Sequence, residues 1–206
     1  MVAIIDYSAG NLISVKRALE HLNIDCLISS ESKQILDADH IIFPGVGHAF
    51  AAMGFLKQRN LDKTLKDAFT KGIPILGICL GTQIILSHSE EGNTQCLGLI
   101  EGNCPKFKLP NSDLKIPHMG WNSIRLVQQH PVFEGIKDVH EFYFVHSFYP
   151  VPNNNEQIIG LCNYGINFPT IVGHKNLIAT QFHPEKSGKA GLMILKNFSN
   201  WNGVRC

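Results

Sequence analysis

Charge of one sign is missing from this sequence: Lys and Arg total 18, Asp and Glu total 17, and no basic block stands apart. A chain this close to neutral lacks the electrostatic footprint of a phosphate-backbone binder, so no nucleic-acid partner is expected. Long apolar runs are missing as well. Nothing approaches the roughly 18 apolar residues needed to span a bilayer, and no membrane association is expected. The opening Met1-Val2-Ala3-Ile4-Ile5-Asp6 has no basic segment and meets Asp6 early, so no signal peptide is expected. Among Cys26, Cys79, Cys96, Cys104, Cys162 and Cys206, no pair has C-x-x-C spacing. Zinc-ribbon and thioredoxin readings therefore have no support, and a disulfide framework does not suit so long and apolar a chain. The expected compartment is the reducing cytoplasm, with no metal and no cofactor.

Phosphate-cradling loops are also lacking. No G-x-x-x-x-G-K-[ST] occurs, and Gly45-Val46-Gly47 opens a G-x-G-x-x-G pattern in which Phe50 stands at the third glycine. There is no internal repeat, low-complexity tract or linker. What is present is a globular composition, 44% hydrophobic and 17% charged over 206 residues. That length fits one domain, residues 1–206, with a substantial core.

The first half alternates strand-like and helix-like segments. Val2–Ile5 reads as a buried strand, ended by a turn at Ser8-Ala9-Gly10-Asn11. Leu12, Val15, Leu19 and Leu22 repeat at helical spacing. Asp25–Ile28 and Ile41–Phe43 read as further strands, the latter stopped by Pro44-Gly45. Leu61, Leu65 and Ala68 mark a helix ended by Gly72. Ile73–Ile78 is the next apolar run, and Ile84, Ile85 and Leu86 suggest another helix. Strands joined by helical crossovers predict a largely parallel sheet covered on both faces. From about Leu97 to Gln181 the pieces are short and strand-like, among them Phe142–Val145, Ile158–Leu161 and Leu177–Thr180. A last helix uses Leu192, Leu195 and Phe198.

Gly77-Ile78-Cys79-Leu80-Gly81 has the form G-x-C-x-G, where an apolar strand gives way to a helix. That is the setting of a nucleophile elbow. Glycines permit a tight turn, and the helix start favours thiolate at Cys79. The Leu80 N–H is placed to donate to an oxyanion. Taken alone, the pattern fits a buried structural cysteine equally well. A cysteine nucleophile needs a base, and Gln181-Phe182-His183-Pro184-Glu185 offers one. In an extended segment His183 and Glu185 point the same way, so the carboxylate would fix the imidazole tautomer. His88, with Glu90 two residues on, reads as solvated in a polar helix end. The zinc-deaminase reading of H-x-E fails for want of a downstream P-C-x-x-C. Phe43-Pro44-Gly45-Val46-Gly47 is a glycine-rich turn after a strand, able to present N–H groups to an anion.

These stretches, with Asp6–Asn11, Glu90-Glu91-Gly92, Pro117-His118-Met119-Gly120-Trp121-Asn122, Tyr143–Ser147 and Gln181–Ser187, span nearly the whole chain. Together they resemble the class I (triad-type) glutamine amidotransferases. Thr82 stands where that family usually has Met, and Ser8 where it often has Gly; neither is a triad position. The resemblance implies an α/β three-layer sandwich around a largely parallel mixed sheet. It implies hydrolysis of glutamine to glutamate and ammonia by Cys79, His183 and Glu185. The oxyanion would be held by Leu80 N–H and by Val46 or Gly47 N–H. The substrate would be bound around Gly45, Gln83, Glu91, His146 and Ser147, with Glu91 meeting its α-ammonium. On sequence alone Glu91 reads as a solvated helix-end charge and Trp121 as a core aromatic.

The Pro-His-Met-Gly-Trp-Asn stretch and the Pro-Gly-Val-Gly loop point to one branch of the family. Its partner is a (β/α)8-barrel cyclase of histidine biosynthesis, bound as a heterodimer, with Asn11, Trp121, Asn122, Tyr143 and Lys186 at the interface and ammonia exit. Three alternatives stay open: the glutaminase of another synthase, such as a surface-sugar amidotransferase; a stand-alone cysteine hydrolase; and a non-catalytic activating subunit.

Overall fold

The computed structural model describes residues 1–8, 11–110 and 114–204. Ala9 and Gly10 of the expected turn, and Cys206, lie outside them. Eight strands make the central sheet: β1 (Val2–Ile5), β2 (Cys26–Ser29), β3 (His40–Gly45), β4 (Ile75–Cys79), β5 (Arg125–Leu126), β6 (Ile158–Asn163), β7 (Asn167–His174) and β8 (Leu177–Thr180). Their order is β2-β1-β3-β4-β8-β7-β6-β5. The first five in that order run parallel. The remaining pairs are antiparallel. β1, β4 and β8 carry side chains that are buried on both faces, as helix-covered strands must.

Alternation along the strands sorts the core in two. Val2, Ile4, Ile42, Leu76 and Ile78 face one side, where α1 (Leu12–His21) contributes Val15 and Leu19. The last helix, Gly188–Asn200, contributes Ile194, Leu195 and Phe198 to the same side. Ile5, Ile41, Phe43 and Ile75 face the other. There they meet α2 (Ser32–Leu36), α3 (Ala49–Gln58), α4 (Leu61–Thr70) and α5 (Leu80–Ile84). The terminal helix is α6. The result is the expected three-layer arrangement. Two smaller sheets flank it: a ribbon of His118–Ser123 with Glu141–His146, and four short strands running from His88 to Pro152.

Three differences from the sequence reading have local causes. β3 runs through Pro44 and Gly45 instead of stopping at Phe43, pairing Pro44 with Ile78 and Gly45 with Cys79. β1 accompanies β3 only as far as Ile42, so Pro44 withholds a donor where one side of the strand is already an edge. α3 escaped notice because its run Ala-Phe-Ala-Ala-Met-Gly has no clean polar face; Phe50 is 67% exposed. α5 covers Leu80–Ile84, leaving Ile85 and Leu86 beyond its end; every residue from Leu80 to Leu86 is buried, so periodicity could not set its phase.

The α1/α6 side ends in a cluster of aromatic rings that encloses two imidazoles. His118 stacks between Phe144 and Tyr164, with centroids 4.7 and 4.0 Å away. Phe107 and Phe168 lie against both His118 and His146. Burial pushes the His146 pKa down to about 3 and that of His118 down to about 4. Both rings are therefore neutral at neutral pH.

Two predictions follow from this packing. A Cβ on Gly191 would overlap the Pro184 carbonyl oxygen, whereas one on Gly54 of α3 would meet nothing within 4 Å. Urea unfolding should show Gly191→Ala destabilising the fold by about 1–3 kcal/mol. Gly54→Ala should stabilise it by about 0.5–1 kcal/mol. The second concerns acid. An imidazole with a depressed folded pKa supports the fold fully above its unfolded value, near 6.5, and loses that support as pH falls toward the folded value. Unfolding free energy should thus begin to fall near pH 6.5, above the carboxylate range. A flat profile down to pH 5 would contradict the assignment of two buried neutral rings.

Candidate active site

The site is built at the C-terminal ends of β3 and β4. Cys79 is the last residue of β4 and the residue that caps α5, with φ 55° and ψ −107°. The tight turn is thus carried by the cysteine itself, in a conformation that costs an L residue about 1–3 kcal/mol. The flanking glycines serve a different end. A Cβ on Gly81 would overlap the Phe43 carbonyl oxygen, and one on Gly77 would press to 3.0 Å from the Ala179 Cβ. Gly81 lets α5 close on β3, and Gly77 lets β8 close on β4. Thr82 ties the same junction, its hydroxyl donating to the Thr180 carbonyl at 2.6 Å. Cys79 is 6% exposed, with its sulfur 3.9 Å from the Val145 carbonyl oxygen and 3.8 Å from Gln181 Nε2.

His183 precedes a 3-10 turn, Pro184–Lys186, so the His-Pro-Glu segment is not extended. The turn still brings the pair together: His183 Nδ1 lies 2.8 Å from Glu185 Oε1, and both side chains are 1% exposed. The carboxylate accepts from Nδ1, which fixes the tautomer and leaves Nε2 for chemistry. Nε2 makes no bond to a nitrogen or oxygen and is left to interact with the Cys79 sulfur. Burial pushes the His183 pKa down, but the charge of Cys79 and the bond to Glu185 push it up and prevail, raising it to about 10. A ring so held is protonated at neutral pH and carries a proton to give. Ser187 was not singled out from sequence, yet it locks the base. Its hydroxyl donates to the His183 carbonyl at 2.6 Å and accepts from Tyr143 N at 3.0 Å. His183 N donates to the Tyr143 carbonyl at 3.0 Å, completing the brace.

A cavity of about 280 Å³ opens over Cys79. Val46, Gly47, Leu80, Gln83, Glu91, His146 and Ser147 all line it, as do Pro117, Val145 and Phe148. Leu80 is the first residue of α5, where N–H groups have no partner within the helix. Gly47 has φ +110°, a conformation open to glycine. Gly45 does not line the cavity. It lies inside β3, its Cα so close to the Tyr7 hydroxyl that a side chain could not fit. Glu91 sits in a turn, not at a helix end, and its Oε2 accepts from Ala49 N, at the start of α3, at 2.6 Å. His88 belongs to a two-residue strand, with Nε2 2.8 Å from Asn93 Oδ1. A larger cleft, about 790 Å³, lies along Leu126–Ile136 and contains none of these residues.

The residues expected at a partner face divide. Trp121, Asn122 and Tyr143 lie on the two-stranded ribbon, where Trp121 is 55% exposed and packs edge-on against Tyr143. Trp121 is therefore no core residue. The Lys186 ammonium lies 5.8 Å from the Tyr143 ring centroid. Asn11 begins α1, its Oδ1 accepting from Ser14 Oγ at 2.7 Å. Among the other cysteines, burial pushes Cys96 up to about 11, Cys162 up to about 12 and Cys104 well above its usual value. Such thiols are poor nucleophiles.

Comparison with known proteins bears on this geometry. The chain is 48% identical over 205 residues to the imidazole glycerol phosphate synthase subunit HisH of Nitratidesulfovibrio vulgaris (strain Miyazaki F), covering 96% of this chain and 95% of that one. It is 48% identical over 202 residues to subunit HisH 1 of Methanococcus maripaludis, covering 96% and 98%. The fold is shared with PurLQS from Thermotoga maritima, at a TM-score of 0.70 and 19% identity over 97% of each chain. It is also shared with the CTPS glutaminase domain of Trypanosoma brucei, at 0.68 and 18%, over 100% and 96%. The model of the glutamine amidotransferase class-I family matches residues 3–200. With an elbow cysteine, a carboxylate-held histidine and a family match over nearly its full length, the chain belongs to the class I glutamine amidotransferases.

Proposed function

We propose that this chain is the glutaminase subunit of an imidazole glycerol phosphate synthase. It would release ammonia from glutamine for a (β/α)8-barrel cyclase of histidine biosynthesis, in the cytoplasm. The observation that carries the reading is the coupling of Cys79, on the cavity wall, to His183 and of His183 to Glu185, in a chain 48% identical to proteins named HisH.

The chemistry is as follows. The Cys79 thiolate attacks the glutamine carboxamide carbon, and the carbonyl electrons move to oxygen. Leu80 N–H and a Val46 or Gly47 N–H stabilise that oxyanion, each donor being worth roughly 3 kcal/mol. His183 passes its Nε2 proton to the amide nitrogen as the C–N bond breaks, giving ammonia and a thioester. His183 then takes a proton from water, whose oxygen attacks the thioester and releases glutamate. Gln83 and Glu91 line the part of the cavity that would take the amino-acid end of the substrate. The exposed Trp121, with Tyr143, Lys186 and Asn122, offers the surface for the barrel partner and the ammonia exit.

Two measurements test this reading. Cys79→Ala should abolish glutamine hydrolysis, whereas replacing Cys26, Cys96, Cys104 or Cys162 should leave it within a few-fold. The assembled Cys79→Ala enzyme should still form product from ammonium salts, because only ammonia supply is lost. Hydrolysis that survives Cys79→Ala would sink the mechanism. The second measurement compares the chain alone, with its barrel partner, and with partner plus acceptor ligand. The peptide before Gly47 can turn an N–H or a carbonyl toward the oxyanion, and one misdirected donor costs roughly a hundred- to thousand-fold in rate. Rates should rise across the three conditions; equal rates would mean that the loop is always productive.

A further inference from the structure

The imidazoles of His118 and His146 do no chemistry in this scheme, yet an unbroken line of hydrogen bonds joins them to the cavity. The Phe148 carbonyl has no proton to give, so His146 must donate to it from Nδ1, across 2.8 Å. A neutral imidazole has one N–H, so His146 Nε2 is an acceptor. It receives the His118 Nδ1 proton at 3.0 Å. His118 Nε2 is then an acceptor in its turn, and the Asn122 side-chain amide lies 3.3 Å from it. Each link dictates the next, and the chain runs one way, from Asn122 to Phe148. At its inner end the Phe148 carbonyl also accepts from Gln83 Nε2 at 3.1 Å. Gln83 Nε2 donates again to Gln181 Oε1 at 3.2 Å, which commits the Gln83 amide nitrogen away from the cavity.

Packing does not explain the imidazole at 118. A phenylalanine would stack as well between Phe144 and Tyr164, without the cost of burying two ring nitrogens. What it could not do is hold His146 in one tautomer. We propose that His118 is a positioning residue for glutamine binding: it fixes the proton on His146 Nδ1, which anchors the Phe148 carbonyl and, through it, the Gln83 carboxamide on the cavity wall. The inference rests on the reading of this cavity as a glutamine site. It also predicts remote control. An aspartate at 122 cannot donate, so His118 would carry its proton on Nε2, His146 would be driven to Nε2–H, and a lone pair would face the Phe148 carbonyl.

The test uses the full chain carrying Cys79→Ala, so that glutamine is bound and not consumed. Calorimetry gives the glutamine Kd, and ¹⁵N resonances of the His146 ring give its tautomer. His118→Phe should weaken glutamine binding about tenfold and mix the His146 tautomers. His118→Asn keeps an amide donor where Nδ1 stands and should bind within about twofold of the parent, with Nδ1–H restored. Asn122→Asp, at a half-buried surface position, should weaken binding and shift His146 toward Nε2–H. If His118→Phe fails to fold, Asn122→Asp decides the matter alone. Unchanged Kd or unchanged His146 resonances in either variant would overturn the inference. Failure of the Cys79→Ala parent to bind glutamine would instead overturn the glutaminase reading.

Discussion

Cys79 occupies a backbone conformation that its own side chain resists, and the two strands flanking its own hold it there. Its φ of 55° persists because β4 is fixed between β3 and β8 up to the residue before the turn. Gly81 lets α5 approach β3, Gly77 lets β8 approach β4, and Thr82 ties helix to strand. A strained residue at the end of a relaxed strand is where binding and catalytic groups gather, because the sheet absorbs the strain. The cavity wall then follows. Leu80 N–H faces outward since a helix begins there, and Gln83 follows one turn on.

Cys79 and Phe182, the residue before His183, share one core, while the helix that Cys79 caps packs into the other. Leu80 and Ile84 pack with α3 and α4, whereas Phe182 packs among Phe142 and Phe144. His183 follows Phe182 directly, and the turn after it packs against the terminal helix. Its backbone is gripped by Tyr143 and Ser187 before its side chain meets Glu185. The ribbon that holds the base also carries the exposed Trp121 and Asn122. A partner seated on that ribbon therefore touches strands whose inner residues hold the base and line the cavity.

Much of this was legible in the sequence. The boundaries of β1 and β8, the elbow and the His-Pro-Glu pairing were all read from short motifs whose geometry is local. Elements buried on every side were not. α5 could not be phased, because Leu80 through Leu86 are all buried. α3 hid because Phe50 and Phe55 turn outward. The second tier of the site was hidden for another reason. Ser187, Gln181 and His118 act through partners 44, 102 and 28 residues away, and no local pattern announces such bonds. The space that Gly45 leaves for Tyr7, 38 positions earlier in the numbering, is hidden for the same reason. Glu91 and Trp121 reversed their bland readings only on family resemblance, and the cavity and the ribbon are where they stand.

The bond from Ala49 N to Glu91 has a consequence for any attempt to change what the cavity accepts. One carboxylate both faces the cavity and terminates a ten-residue helix. On the proposed glutaminase reading, Glu91 couples recognition to architecture. Redesign toward an amide that lacks an ammonium group would call for a neutral or apolar residue at 91, and such a residue would also deprive the first amide of α3 of its acceptor. That helix begins two residues after Gly47, so the loss would reach the loop proposed to support the oxyanion. Selectivity at this position cannot be edited separately from turnover, and variants with altered preference would need a replacement cap at His48 or Ala49 before their rates could be compared.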